Sequence, residues 1–176
     1  MKKNMIHISI FIFLTVLLGA CGSGDSDSTT NIVKSEGGSF RLYMGYQYKY
    51  PETIHDTVTP FVVNLLGEGV SYDQDLSALT GVGSLISFYM YSENEYEIEL
   101  GDYTIDIFST KPPYSADSCV IYYNYDFSQD TGKIYEVSAG TFSVDNLGSV
   151  MQYDMSLVSD TLLFQGTFKG PIHTLD

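Results

Sequence analysis

The 176-residue chain has no tryptophan, two cysteines, five prolines and only eight basic residues against 22 acidic ones. Each shortage excludes something. A formal charge of −14 repels phosphate backbones, so no nucleic-acid partner is expected. The two cysteines, Cys21 and Cys119, form no Cys-x-x-Cys motif. The three histidines, His7, His55 and His173, are scattered, and no His-Glu-x-x-His occurs, so no metal site and no cofactor are expected. No Gly-x-Ser-x-Gly elbow is present, and His55-Asp56, adjacent in sequence, cannot orient one another as a triad requires. Gly81-Val82-Gly83 lacks the third glycine of a phosphate cradle and leads into a strand, so it reads as a turn. Helical periodicity is missing as well, since no stretch sustains a three-to-four-residue apolar repeat. Nothing here predicts an enzyme.

What is present begins at the amino terminus. Lys2 and Lys3 precede the mostly apolar 14-residue run Met5 to Leu18, and Leu18-Gly19-Ala20-Cys21 follows with small residues and a cysteine. This is the three-part layout of a secretory leader. At about 1.5 Å per helical residue the run spans roughly 21 Å, short of the ~30 Å hydrocarbon core, so a permanent spanning helix is not expected. Leu18-Gly19-Ala20-Cys21 resembles the lipobox of bacterial lipoproteins. The resemblance implies that residues 1–20 are a signal peptide removed on maturation. It also implies that Cys21 carries lipid and that the product is held on a cell-envelope membrane, most simply the outer membrane, facing periplasm or cell surface. Loss of Lys2 and Lys3 takes the charge from −14 to −16, so attachment should rest on the lipid and not on a basic patch. Cys119 is then the lone thiol and reads as a small buried hydrophobe.

Residues 21–38 (CGSGDSDSTTNIVKSEGG) are rich in Gly, Ser, Asp and Thr and read as a flexible tether with a reach of roughly 23 Å. Asp25 and Asp27 resemble the acidic residues that follow the cysteine in surface-exported lipoproteins of Bacteroidota; a plain acidic linker is the alternative. Residues 39–176 read as one domain, long enough to bury about two-thirds of the unfolded surface.

Fifteen tyrosines, all after the leader, together with frequent Gly, Ser and Thr, point to β-structure. Strands are expected over Ser39 to Tyr50, Thr57 to Leu66, Ser84 to Ser92, Cys119 to Asp126, Gly140 to Val144 and Met151 to Leu157. A short helical turn could fall between Asp73 and Leu79. Two hairpins are expected. Gly101-Asp102 would place Leu100 opposite Tyr103, Ile98 opposite Ile105 and Tyr96 opposite Ile107. A loop centred on Ser159-Asp160 would pair Leu157 with Leu162, Met155 with Phe164, Tyr153 with Gly166 and Met151 with Phe168. Leu100 to Asp106 is echoed, 39 positions on, by Ala139 to Asp145, and the two read as equivalent strand entries. These segments, with Phe164 to Gly170, resemble a recurrent pattern in small β-rich envelope lipoproteins of Bacteroidota, a likeness that covers the second half of the chain and carries over no functional residue.

The expected fold is all-β, an antiparallel two-sheet sandwich of about nine or ten strands, with a closed lipocalin-like barrel as the alternative. Glu93, Glu95, Glu97 and Glu99 alternate along one strand face, which reads as solvated; calcium binding with Asp102 or Asp106, and a glycosidase pair, are the alternatives. Tyr46, Tyr48 and Tyr50 share one face opposite Gln47 and Lys49 and are the candidate ligand-binding residues, because tyrosine offers stiff amphipathic area with a hydroxyl tip. The expected function is a lipid-anchored, non-catalytic binding module of the cell envelope for a glycan or an envelope protein. A structural or adhesive component, and a barrel carrying a small apolar ligand, are the alternatives.

Overall fold

The computed structural model describes residues 30–50, 58–105, 112–160 and 162–175. Residues 1–20, expected to be a leader, and Cys21, Asp25, Asp27, His55-Asp56, Asp106 and Ile107 lie outside the described residues. Twelve strands form among the described residues: β1 (Ile32–Ser35), β2 (Gly38–Lys49), β3 (Thr59–Gly67), β4 (Val70–Asp73), β5 (Ala78–Ser92), β6 (Gly101–Ile105), β7 (Ser115–Asp126), β8 (Thr131–Glu136), β9 (Ala139–Asn146), β10 (Met151–Ser159), β11 (Leu162–Gly170) and β12 (Ile172–Thr174). The hydrogen-bonded order runs β5-β3-β2-β1-β11-β10-β9-β6-β7 and returns to β5, which pairs with both β3 and β7.

The chain is therefore all-β, and nine strands close a barrel. This corrects the expected two-sheet sandwich. Alternating apolar residues point one face of each strand inward in either architecture, so the period-two pattern does not separate them. Closure is decided at two seams built from short strands. Between β2 and the β11–β12 run, β1 fills one half and β12 pairs directly with β2 in the other. Between β9 and β7 the five-residue β6 bridges the gap, antiparallel to one and parallel to the other. Ile32–Ser35, read in the sequence as the end of the tether, is thus part of the wall, and Val33 is buried in the core. An apolar pair inside a polar segment sufficed to dock it.

The interior is filled with rings. Phe88 and Phe142 lie 4.5 Å apart, Phe142 stacks on Tyr103 at 5.1 Å and 10°, and Tyr153 lies 6.1 Å from Phe168. Cys119 packs into this core, and burial pushes its thiol pKa well up, which keeps it an inert apolar filler. The sequence echo has a structural counterpart: its two copies lie side by side, with Tyr103 opposite Phe142, and each enters its strand at a positive-φ glycine, Gly101 and Gly140.

Both expected hairpins are corrected. Gly101-Asp102 is not a loop but the start of β6, and Tyr96 to Leu100 form no strand. The four glutamates consequently do not line a strand face; they sit in a folded loop over residues 93–100. Asn94 is the cause: its side-chain oxygen accepts the N–H of Tyr96 at 2.9 Å, and the Glu99 carboxylate accepts the N–H of Glu93 at 2.9 Å. No group of three or more His, Cys, Asp or Glu is placed for a metal among the described residues. The β10–β11 hairpin exists, with a register two residues from the expected one: Ser159 pairs with Leu162, Leu157 with Phe164, and Met155 with Gly166. No helical turn forms between Asp73 and Leu79; Asp73 instead accepts the N–H groups of Asp75 and Leu76 at a hairpin tip.

Candidate binding groove

The site is built on the outer wall, and β2 explains how. Its Phe40 and Leu42 belong to the interior, but the register shifts between Leu42 and Met44. The bulge exchanges the two faces. Beyond it Gly45, Gln47 and Lys49 pair with the inward Leu65, Val63 and Phe61, while Tyr46 and Tyr48 lie opposite the outward Asn64 and Val62. Gly45 leaves room for close approach: a Cβ there would meet the tip of the Ile172 side chain of β12 and crowd the Asn64 carbonyl. The candidate tyrosines therefore face away from the barrel interior, and all three are half-buried.

They are covered by a second layer. β3 is buried along its whole length on both faces, unusual for a barrel strand with a solvated exterior. The cover comes from the β4–β5 hairpin. At its base Gly69 (φ +83) and Gly81 (φ +93) adopt the left-handed region, and a Cβ on either would strike backbone of the other arm. The freed bend lays Tyr72 and Leu79 against the outer wall over Leu66, Val70 and Leu85, a small core separate from the barrel's own.

Tyr46 is pinned beneath this layer, its ring 5.5 Å from Tyr72 on one side and 5.5 Å from His173 on the other. Tyr50 is packed sideways against Tyr89 at 5.2 Å, and Tyr89 against Tyr91 at 5.6 Å. Tyr48, between them, lines a groove of about 650 Å³, within the usual range for small-ligand sites. The structure thus brings one of the three candidates to a concave surface and uses the other two to brace it.

Around Tyr48 the groove is lined by Asn64 from β3, Tyr72 and Leu79 from the hairpin, Glu95 and Tyr96 from the 93–100 loop, and Thr174 beside β2. Asn64 is 8% exposed, and its carboxamide has no hydrogen-bond partner among the described residues. Tyr96 is 85% exposed, held at the rim by the Asn94 turn. Lys49 and Glu95 neutralise each other across 3.6 Å. Burial pushes the Tyr48 pKa up, with smaller contributions from Tyr72 and Tyr50, so its hydroxyl remains both donor and acceptor at neutral pH. Flat apolar faces, one free carboxamide, hydroxyls and a compensated ion pair are the means of recognition rather than of bond-breaking.

Sequence reasoning found Tyr48 and missed Asn64, Tyr72 and Tyr96. Two signals were available: Asn64 is the lone polar side chain in Phe61 to Leu66, and Asn94, a turn former, sits between Glu93 and Glu95. The free edge of β8 offers a less developed surface, six residues long and carrying Lys133 and Glu136, charges that blunt strand addition. No family model, curated protein or solved structure matches the chain.

Proposed function

We propose that the chain is a non-catalytic binding module of the bacterial cell envelope, held to its membrane by lipid on Cys21, with its ligand on the outer wall over Tyr48. The observation that carries the binding half is the groove itself: a polar and aromatic concavity onto which the Asn64 carboxamide opens with no hydrogen-bond partner among the described residues. An amide that opens on a concavity with its donor and acceptor uncommitted is available to a ligand. Support for the anchoring half is the Leu18-Gly19-Ala20-Cys21 sequence after its apolar run. Two or more acyl chains, at ~0.8 kcal/mol per buried methylene, suffice for stable attachment.

The two halves separate experimentally. Cys21→Ser is expected to leave an unprocessed or soluble protein; wild-type maturation and membrane fractionation of that variant would overturn the anchor. For binding, the purified full chain is screened against glycans and envelope proteins beside Tyr48→Ala and, on β11 outside the groove, the exposed Leu163→Ala. The expected result is a ligand lost with Tyr48→Ala and kept with Leu163→Ala. Equal retention by both removes Tyr48 from the site.

A further inference from the structure

The chemistry of the groove points to an uncharged saccharide as its ligand; we infer this on top of the binding-module reading. Three features of the lining exclude three other ligand classes in turn. An anionic ligand meets a chain of net charge −14, and Lys49, the one cation in the groove lining among the described residues, is already paired with Glu95. A purely apolar ligand would cover the Asn64 carboxamide without giving it a hydrogen bond. An extended peptide seeking to add a strand finds no edge on β3, which pairs along its length with β2 and β5, and the outer strands beside the groove, β4 and β12, are only four and three residues long. Recognition therefore rests mainly on side chains.

Those side chains match a sugar ring. Pyranose rings present a face of C–H groups bounded by a rim of hydroxyls. Tyr48, Tyr72 and the 85% exposed Tyr96 offer aromatic surface to such faces. Asn64 presents a carbonyl acceptor beside an NH2 donor, a spacing that bridges two neighbouring hydroxyls, each of which can donate or accept. The hydroxyls of Tyr48 and Thr174 and the outer oxygens of Glu95 extend this polar set along the groove without adding net charge. The volume, about 650 Å³, has room for a short oligosaccharide.

The test is isothermal titration of the purified full chain in detergent. Probes are neutral gluco-, manno-, galacto-, xylo- and N-acetylglucosamine oligosaccharides, an oligogalacturonate as anionic counterpart, and an oligolysine peptide. Variants are Asn64→Leu, which removes the carboxamide, and Tyr96→Ala, which removes an exposed ring and cannot disturb the core. At least one neutral oligosaccharide is expected to bind, weakened about tenfold or more by Asn64→Leu, the worth of one lost hydrogen-bonding group, and about fivefold by Tyr96→Ala. Binding indifferent to both variants overturns the inference, as does failure of every neutral probe. If oligogalacturonate or oligolysine binds instead and the same variants abolish it, the saccharide inference falls while the groove stands as a binding site. If no probe responds to either variant, both fall.

Discussion

Tyr153 and Asn64 both lack a side-chain hydrogen-bond partner among the described residues, and they differ in access to water: only the Tyr153 hydroxyl is cut off from it. Asn64 opens onto the groove. The Tyr153 hydroxyl is sealed among Phe88, Phe142 and Phe168 in the barrel interior, where it has lost water and gained nothing. Removing it should relieve that penalty, so Tyr153→Phe is expected to raise stability by about 1 kcal/mol in urea denaturation. A loss of about 1 kcal/mol or more would mean that the hydroxyl is satisfied. The tyrosine stripe of β2 was visible in the sequence as spacing, but not its direction. Gln47 and Lys49 look like the solvated side, and continuous alternation would then send the tyrosines inward; the bulge before Met44 reverses this, and a bulge leaves no mark in a period-two pattern.

Strands were legible element by element because alternation over Phe40, Leu42 or over Met151, Tyr153, Met155 and Leu157 has one interpretation. Registers were not. The β10–β11 pairing differs from expectation by two residues, a shift that keeps every side chain on its face and is therefore invisible to hydrophobicity. The turn decides it: Asp160 takes φ 49, and Ser159 already pairs with Leu162. Whole-face predictions survive such a shift. Phe164, 2% exposed opposite Leu157 and 5.1 Å from the ring of Tyr135, should cost about 3–5 kcal/mol on mutation to alanine. Gln165, exposed with only a 3.4 Å contact to Ser156, should fall within about 0.5 kcal/mol. Equal losses at the two positions, read from denaturation midpoints, would mean that β11 is turned over. The loop over residues 93–100 shows the opposite failure, where alternation was present and misleading. Asn94 accepts the N–H of Tyr96, and local turn chemistry outweighs a glutamate pattern that buries nothing.

At the scale of the molecule, closure is a sum of short contacts, which is why the sequence separated β from α yet left sandwich and barrel undivided. Folding also sets the alkaline limit. Burial raises the pKa of Tyr48, Tyr103, Tyr153 and Cys119, and the hydrogen bond that Tyr125 donates to Asp130, with burial second, raises that tyrosine to about 12. The unfolded chain releases these protons near 10.0 for tyrosine and 9.0 for cysteine, before the native state does. Stability from these groups is thus complete below about pH 9 and is lost as pH climbs from there through about 12. Melting temperature should be level to about pH 9 and then fall, less steeply in Tyr153→Phe; a level profile to about pH 12 would contradict it. The central claim is that the molecule works from its outer wall while its interior stays closed. The most direct measurement is NMR of the full chain with ring-labelled tyrosine, titrated with the neutral oligosaccharides. The account predicts that the Tyr48, Tyr72 and Tyr96 signals move together while Tyr103 and Tyr153 stay fixed; movement of Tyr103 and Tyr153 with Tyr48 unmoved would contradict it.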